Sequence, residues 1–383
     1  MPGLRAGRPA RDRGVAGAIR DGRAEPRDHR GRRPGTYRRR GAPVSRDPLV
    51  TSIADLDIAI GGRERPREDI ALIAGAADQL GVGTVWVTEG VGRDAFSLLT
   101  ELALRTTRIG LGTGIVNVFS RTPTALAQAA ASLLELMGTR TFNLGLGTSG
   151  RGLVEDYHGI PFERPVTRMK ETIGALDRVF TTGSLPVGGA EFRFGGLALG
   201  VPTDRARLRL YVAGLTEKTL EVTGTVADGW LPIWPSRRES GQQVGVIRKA
   251  ATAANRPMPT VAGYLYGAVG TEPALAAHLR ANLAWYVAAN GTAYRRLFER
   301  YGYADEVDRI CRLWTTGERE RARRAVTDEM LADCTLLGEP AEVLRQAGAF
   351  RDAGVDRPVL RLPKQVPATD CVRMLTELAG VRQ

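Results

Sequence analysis

Eight short runs of apolar and β-branched residues punctuate the chain between residues 55 and 362, each followed by a stretch of helical length. They are DLDIAI (55–60), TVWVTE (84–89), RIGLGTGI (108–115), TFNLGLG (141–147), RLRLYVAG (207–214), DGWLPIW (228–234), TVAGYLYGAV (260–269) and RPVLRL (357–362). The helical stretches run from PREDIALIAGAADQLG to ATDCVRMLTELAG, with EPALAAHLRANLAWYVAAN in seventh place. Several open on helix-start signals, such as Thr122 before Pro123 and Thr271 ahead of Glu272 and Pro273. Strand and helix in alternation predict parallel strands joined by right-handed crossovers, and eight units predict an α/β fold, a (β/α)8 TIM barrel. An open doubly wound sheet carries the same alternation, because closure is not written in the pattern.

Three intervals are longer than a connecting loop. Residues 148–164 follow strand four, and residues 291–340 follow helix seven and hold two charged helical segments. Residues 186–202, PVGGAEFRFGGLALGVP, read as a short hairpin before strand five. Insertions of this kind shape a pocket at the functional face.

The net charge of +12 would suggest an anionic partner, but its location argues otherwise. Residues 1–50 hold 14 arginines against five acidic residues and account for nine of the twelve charges. That segment is rich in Gly, Pro and Ala and has little to bury, so the domain reading is a disordered tail over 1–50 and a barrel domain over 51–383. Without interleaved aromatic residues the tail does not read as a nucleic-acid-binding arm. No run of about 18 apolar residues suggests a membrane span. Cys311, Cys334 and Cys371 lack metal-ligand spacing, and His29, His158 and His278 form no ligand motif. No metal is expected, and a reducing, cytoplasmic setting fits.

TFNLGLGTSGRG (141–152) spells G-x-G-x-x-G through Gly145, Gly147 and Gly150. A dinucleotide-binding turn needs a helix at once and an acidic residue at the end of the next strand. Here Pro161 and Pro165 argue against a helix running straight from Gly150, and the next strand begins only near residue 207. The glycines are better read as a strand end at a barrel mouth, matching Gly112-Thr113-Gly114 after strand three and Ala213-Gly214 after strand five. Three small strand ends on consecutive units suggest one extended ligand across the mouth.

Four segments in order carry a family resemblance: VWVTEGVGRDAF, RIGLGTGIVNVFSRTPTALAQAAASLLELMGTRTFNLGLGTSG, LYVAGLTEKTLEVTGTVADGWLPIW and LLGEPAEVLRQAGAFRDAGVDRPVLRLP. Together they resemble the bacterial luciferase-like flavin and deazaflavin oxidoreductases from about residue 53 to 380. The resemblance implies coenzyme F420, with FMN as the alternative, bound by Gly112, Thr113, Gly114, Ile115, Gly145, Gly147, Thr148, Ser149, Ala213, Gly214, Leu215, Thr216 and Lys218. It implies a non-prolyl cis peptide at Gly114-Ile115, with Ile115 against the ring. The turn Ala213-Gly214-Leu215 before Thr216 and Lys218 would hold the phosphate at a helix start.

Deazaflavin dehydrogenases of that family often carry a histidine and a glutamate where this chain has Gly90 and Gly150. Glu89 and His158 are the remaining candidates for catalytic groups, and Arg121 and Trp234 for substrate contacts. The implied activity is hydride transfer between F420 and a small organic substrate. An FMN-dependent monooxygenase reaction and a non-catalytic binding barrel are the alternatives, and a homodimer is an assembly open to such a chain.

Overall fold

The computed structural model describes residues 52–381 apart from 64, 186, 187 and 197. The tail expected over 1–50 lies outside the described residues. The strands are β1 (Asp57–Gly61), β2 (Thr84–Thr88), β3 (Gly110–Thr113), β4 (Val116–Asn117), β5 (Phe142–Gly147), β6 (Leu208–Ala213), β7 (Gly229–Trp230), β8 (Thr260–Val269), β9 (Thr335–Gly338) and β10 (Arg357–Arg361). All pair in parallel, and β10 pairs with both β1 and β8. That double pairing closes β1, β2, β3, β5, β6, β7, β8 and β10 into an eight-stranded barrel, so the open sheet is excluded. β4 continues the line of β3 and pairs with β5, and β9 pairs with the far half of β8.

Alternation along each strand sorts side chains into two cores. Ile58 and Ile60 of β1 and Phe142, Leu144 and Leu146 of β5 pack outward under the helices. Trp86, Tyr211, Leu231 and Tyr264 pack inside the barrel with Ala59, Ala262 and Val359. Trp86 donates from Nε1 to Asp57 at 3.0 Å and meets Tyr211 edge-on at 5.1 Å. The interior takes these large rings because glycine stands opposite: a Cβ on Gly112 would lie 2.6 Å from the Trp86 ring, and one on Gly229 would enter Tyr211.

The helices α1 (Arg67–Leu80), α2 (Ala95–Arg105), α3 (Pro123–Leu136), α4 (Pro165–Thr182), α5 (Glu217–Val226) and α6 (Ser240–Ala253) fall where the alternation predicts. The seventh does not. α7 (Pro273–Ala289) packs against α8 (Thr292–Arg300), α9 (Ala304–Thr315) and α10 (Arg319–Arg324). Its Leu279, Leu283 and Val287 join a separate core with Leu297, Phe298 and Ile310. After α11 (Asp328–Cys334) and β9, α12 (Pro340–Asp352) packs on β10 and α13 (Ala368–Ala379) and takes the barrel position expected of α7. The expected count of eight helices therefore concealed an exchange: α7 supplies apolar side chains to an excursion, and the four-residue β9 is too short to read as a strand.

Two smaller expectations change. Residues 151–157 do form a short helical segment after Gly150, ending in a π turn at Leu153–Tyr157. Pro161 clashes with helix only back to the carbonyl four residues earlier, which leaves room for this segment. The 186–202 region is not a two-stranded hairpin; its described residues make one antiparallel bridge, Ser184 to Ala198. Among the described residues no helix is long and apolar enough to cross a membrane.

At the end of α1 the buried Asp78 ties two β/α units together. Its carboxylate accepts the N–H groups of Thr107 (3.0 Å), Arg108 (2.8 Å) and Ile109 (2.7 Å), the segment leading into β3. Burial pushes this carboxyl up, but the backbone hydrogen bonds outweigh it and hold it below its ordinary value. Replacing Asp78 with Ala strands these donors and is expected to lower the unfolding free energy at pH 7 by about 2–3 kcal/mol, read from urea denaturation. Because the folded-state value is depressed, the contribution is complete above the unfolded value near pH ~4 and is lost as pH falls through the folded value. The wild-type advantage should therefore narrow in acid; an advantage that stays constant with falling pH contradicts it.

Candidate functional site

The carboxyl ends of β3, β5 and β6 make one small-residue side of the barrel mouth. β3 ends at Thr113, whose hydroxyl donates to the Gly145 carbonyl at 2.8 Å. The next peptide, Gly114-Ile115, is cis, as the resemblance implied. The half-buried Ile115 side chain lies across Gly147, where an added Cβ would stand 2.6 Å from its Cδ1. At Gly145 a Cβ would run into the Thr113 carbonyl. Gly112, Thr113, Gly114, Ile115, Gly145 and Gly147 are thus brought together as one surface with almost no side chain except Ile115. Thr148 and Ser149 continue from it half-buried, Ser149 in the left-handed region at φ 57°.

Beyond β6 the turn Ala213-Gly214-Leu215 is fixed from three directions. Trp230 donates from Nε1 to the Gly214 carbonyl at 3.0 Å, and Arg300 of α8 donates to the Leu215 carbonyl at 3.1 Å. Thr216 caps α5 reciprocally with Thr219: the Thr216 N–H donates to Thr219 Oγ1 at 3.1 Å, and the Thr219 N–H to Thr216 Oγ1 at 3.4 Å. The Thr216 side chain is therefore committed to the cap. The N–H groups of Glu217 and Lys218 stand in the first turn, where a helix has no partner of its own for them, and the Lys218 side chain is exposed.

The structure places Glu89 and Arg121 against each other. Arg121 forms a two-pronged ion pair with Glu89, at 2.7 and 2.8 Å, and also pairs with Asp94, which caps α2 through the Ser97 N–H at 2.7 Å. Glu89 additionally accepts the Ala95 N–H at 2.9 Å. Burial pulls the Arg121 guanidinium down, and its bonds to Glu89 and Asp94 more than compensate, holding it above its ordinary value. These groups clamp the end of β2 to the starts of α2 and α3. The guanidinium expected to meet substrate is occupied by two carboxylates.

His158 closes the π turn through its N–H to the Leu153 carbonyl at 3.2 Å, and its ring meets Tyr157 edge-on at 5.0 Å. No hydrogen bond links it to Glu89. Trp234 is fully buried, stacked on Tyr266 at 4.4 Å and edge-on to Tyr286 and Phe298, and its Nε1 has no hydrogen-bond partner among the described residues.

Sequence reasoning missed the other side of the mouth. Tyr264 of β8 packs inside the barrel, Tyr266 two residues on joins the separate core with Trp234, and the Arg361 guanidinium of β10 stands 5.3 Å above the Tyr266 ring. The period-two spacing Ala262, Tyr264, Tyr266 within β8 was the available signal. Also missed was the anchoring of residues 190–192 on α4, where Glu171 accepts three consecutive backbone N–H groups at 2.8, 2.9 and 3.3 Å. Arg168 lies between the rings of Phe119 and Phe192, at 4.9 and 4.8 Å.

Residues 49–357 match the sequence model of the family described as luciferase-like monooxygenase. A Mycobacterium tuberculosis protein named provisionally as a coenzyme F420-dependent oxidoreductase is 29% identical over 326 residues, covering 80% of this chain and 93% of its own. The coenzyme F420-dependent tetrahydromethanopterin reductase of Methanopyrus kandleri superposes with a TM-score of 0.74 at 20% identity, covering 85% of this chain and 97% of its own. The oxygenating constituent of 3,6-diketocamphane monooxygenase from Pseudomonas putida, solved with FMN, superposes with a TM-score of 0.61 at 15% identity, covering 85% and 97%. The last two likenesses establish the barrel fold.

The clamp at β2 makes a specific demand. Arg121→Met leaves the two carboxylates facing each other without their cation and is expected to lower the unfolding free energy by on the order of 2 kcal/mol. Thermal and urea unfolding measure it; a variant as stable as the wild type would show that the ion pair is not structural.

Proposed function

We propose, from the premise that this chain belongs to the luciferase-like monooxygenase family, that it is a coenzyme F420-dependent oxidoreductase acting on a small organic substrate. It is an enzyme of a family whose members work with a deazaflavin or a flavin. The observation that carries the coenzyme reading is the pairing of two features at the β3–β6 strand ends, and the likeness over 326 residues to the relative named for coenzyme F420 favours the deazaflavin. One is the nearly side-chain-free surface around Ile115, suited to a flat ring; the other is the pinned turn before α5, suited to a phosphate.

The residues present fit such a group. The β3–β5 surface offers backbone and the single Ile115 side chain, and the start of α5 offers N–H groups and the Lys218 ammonium. When bound, the coenzyme supplies the hydride chemistry. The chain supplies position: at Gly114, Gly145 and Gly147 the Cβ positions are taken up by Tyr264, the Thr113 carbonyl and Ile115, which leaves Ile115 as the side chain that bears on one face of the ring, and Lys218 holds the phosphate end. The Glu89–Arg121 clamp fixes the β2 end beneath. With Glu89 so engaged, we assign the handling of a substrate proton to His158, whose ring makes no hydrogen bond among the described residues. A second reading, FMN with molecular oxygen, is favoured by the likeness to the monooxygenase solved with FMN.

Equilibrium titration with oxidised F420 and with FMN separates the two. The deazaflavin reading expects micromolar binding of F420 and far weaker binding of FMN; the reverse order transfers the chain to the monooxygenase reading. Lys218→Glu changes only an exposed side chain and should weaken F420 by about tenfold through lost attraction to the phosphate. Unchanged affinity would move the phosphate away from α5. We further propose that redox function resides in residues 51–383, so that removal of residues 1–50 leaves coenzyme affinity unchanged in the same titration.

A further inference from the structure

Among the buried polar atoms without a hydrogen-bond partner in the described residues, the Tyr264 hydroxyl stands inside the barrel beside the strand ends of the mouth. Tyr264 is 4% exposed, and its hydroxyl has no hydrogen-bond partner among the described residues. Its ring meets Trp86 edge-on at 6.3 Å, and its Oη reaches across the barrel to β3, where a Cβ on Gly114 would overlap it. The hydroxyl therefore stands beside the Gly114-Ile115 segment, under the surface assigned above to the coenzyme ring. Leucine or phenylalanine would fill this apolar surrounding of Trp86, Tyr211 and Leu231 equally well. A buried hydroxyl there, without a protein partner, is unfavourable unless a ligand completes it.

Burial pushes the phenol well above its ordinary value; Arg361 opposes this, and Asp57 and Tyr266 add to it. The group is consequently an uncharged O–H at neutral pH, with one proton to donate.

We propose that the Tyr264 hydroxyl donates a hydrogen bond to an acceptor atom on the edge of the heterocycle bound at the β3–β5 side of the mouth. The ligand class is a planar ring system bearing carbonyl or ring-nitrogen acceptors, a description that includes both flavins and deazaflavins. Gly114 serves the same arrangement, since any side chain there would displace the phenol. This inference rests on the reading of the mouth as the coenzyme site.

Its test is Tyr264→Phe, which keeps the ring and its packing and removes only the hydroxyl. Two readouts are needed: the dissociation constant for F420 and for FMN from fluorescence titration, and the melting temperature of the protein without coenzyme. The expected result is affinity about five- to tenfold weaker for whichever coenzyme the wild type binds, the loss typical of one hydrogen bond. The ligand-free melting temperature should be unchanged or raised, because an unmatched donor has been removed. Unchanged affinity overturns the inference while leaving the coenzyme reading intact. A lowered ligand-free melting temperature, with or without weaker binding, also overturns it, because the hydroxyl would then be satisfied within the folded protein. Failure of the wild type to bind either coenzyme overturns the reading of the mouth and this inference with it.

Discussion

The packing of Trp86 inside the barrel governs much of what lies above it. Its indole is fully buried, anchored by Asp57 at the amino end of the strands, and flanked edge-on by Tyr211 and Tyr264. A ring of that size fits only because β3 carries Gly112 beside it. Interiors pack near crystal density, so bulk on one strand must be matched by its absence on the next. The floor of the barrel is thereby filled, and the strand ends beyond it, Gly114, Gly147 and Ala213, are left small. The mouth therefore lies over a filled core, with small residues on the β3–β6 side and aromatic and cationic side chains on the β8–β10 side.

Much of the fold was legible because its signals are local. β-branched runs, helix starts such as Pro123, and apolar periodicity placed every barrel strand and seven of the eight helices that pack on them, α1 to α6 and α13. What misled was context. α7 has the length and apolar content of a barrel helix, and only its partners, Leu297, Phe298 and Ile310, reveal that it serves a separate core. β9 has four residues and pairs with the far end of β8, an arrangement that no local pattern encodes. The Gly-rich segment before β6 read as a hairpin, whereas its described residues are held by side chains distant in sequence, Glu171 and Arg168.

The site was legible where it depends on the absence of side chains. Glycine at strand ends is visible in a sequence, and those positions converge in the structure. Charged groups were less legible, because whether an arginine is free or paired depends on neighbours from other units. Arg121 is the clear case: 32 residues from Glu89, it forms with that carboxylate a clamp between units. Tyr264 shows the converse, a residue that sequence alone would place in the core but whose hydroxyl the fold leaves without a partner beside Gly114.

The central claim is that the β3–β6 strand ends seat a deazaflavin, ring against Ile115 and phosphate at α5. A crystal structure of the protein with oxidised F420 tests it most directly. The account predicts the central ring within van der Waals distance of Ile115 and the phosphate within hydrogen-bonding distance of the first-turn N–H groups of α5. Electron density placing the ring over the β8–β10 side, or the phosphate away from α5, would contradict it.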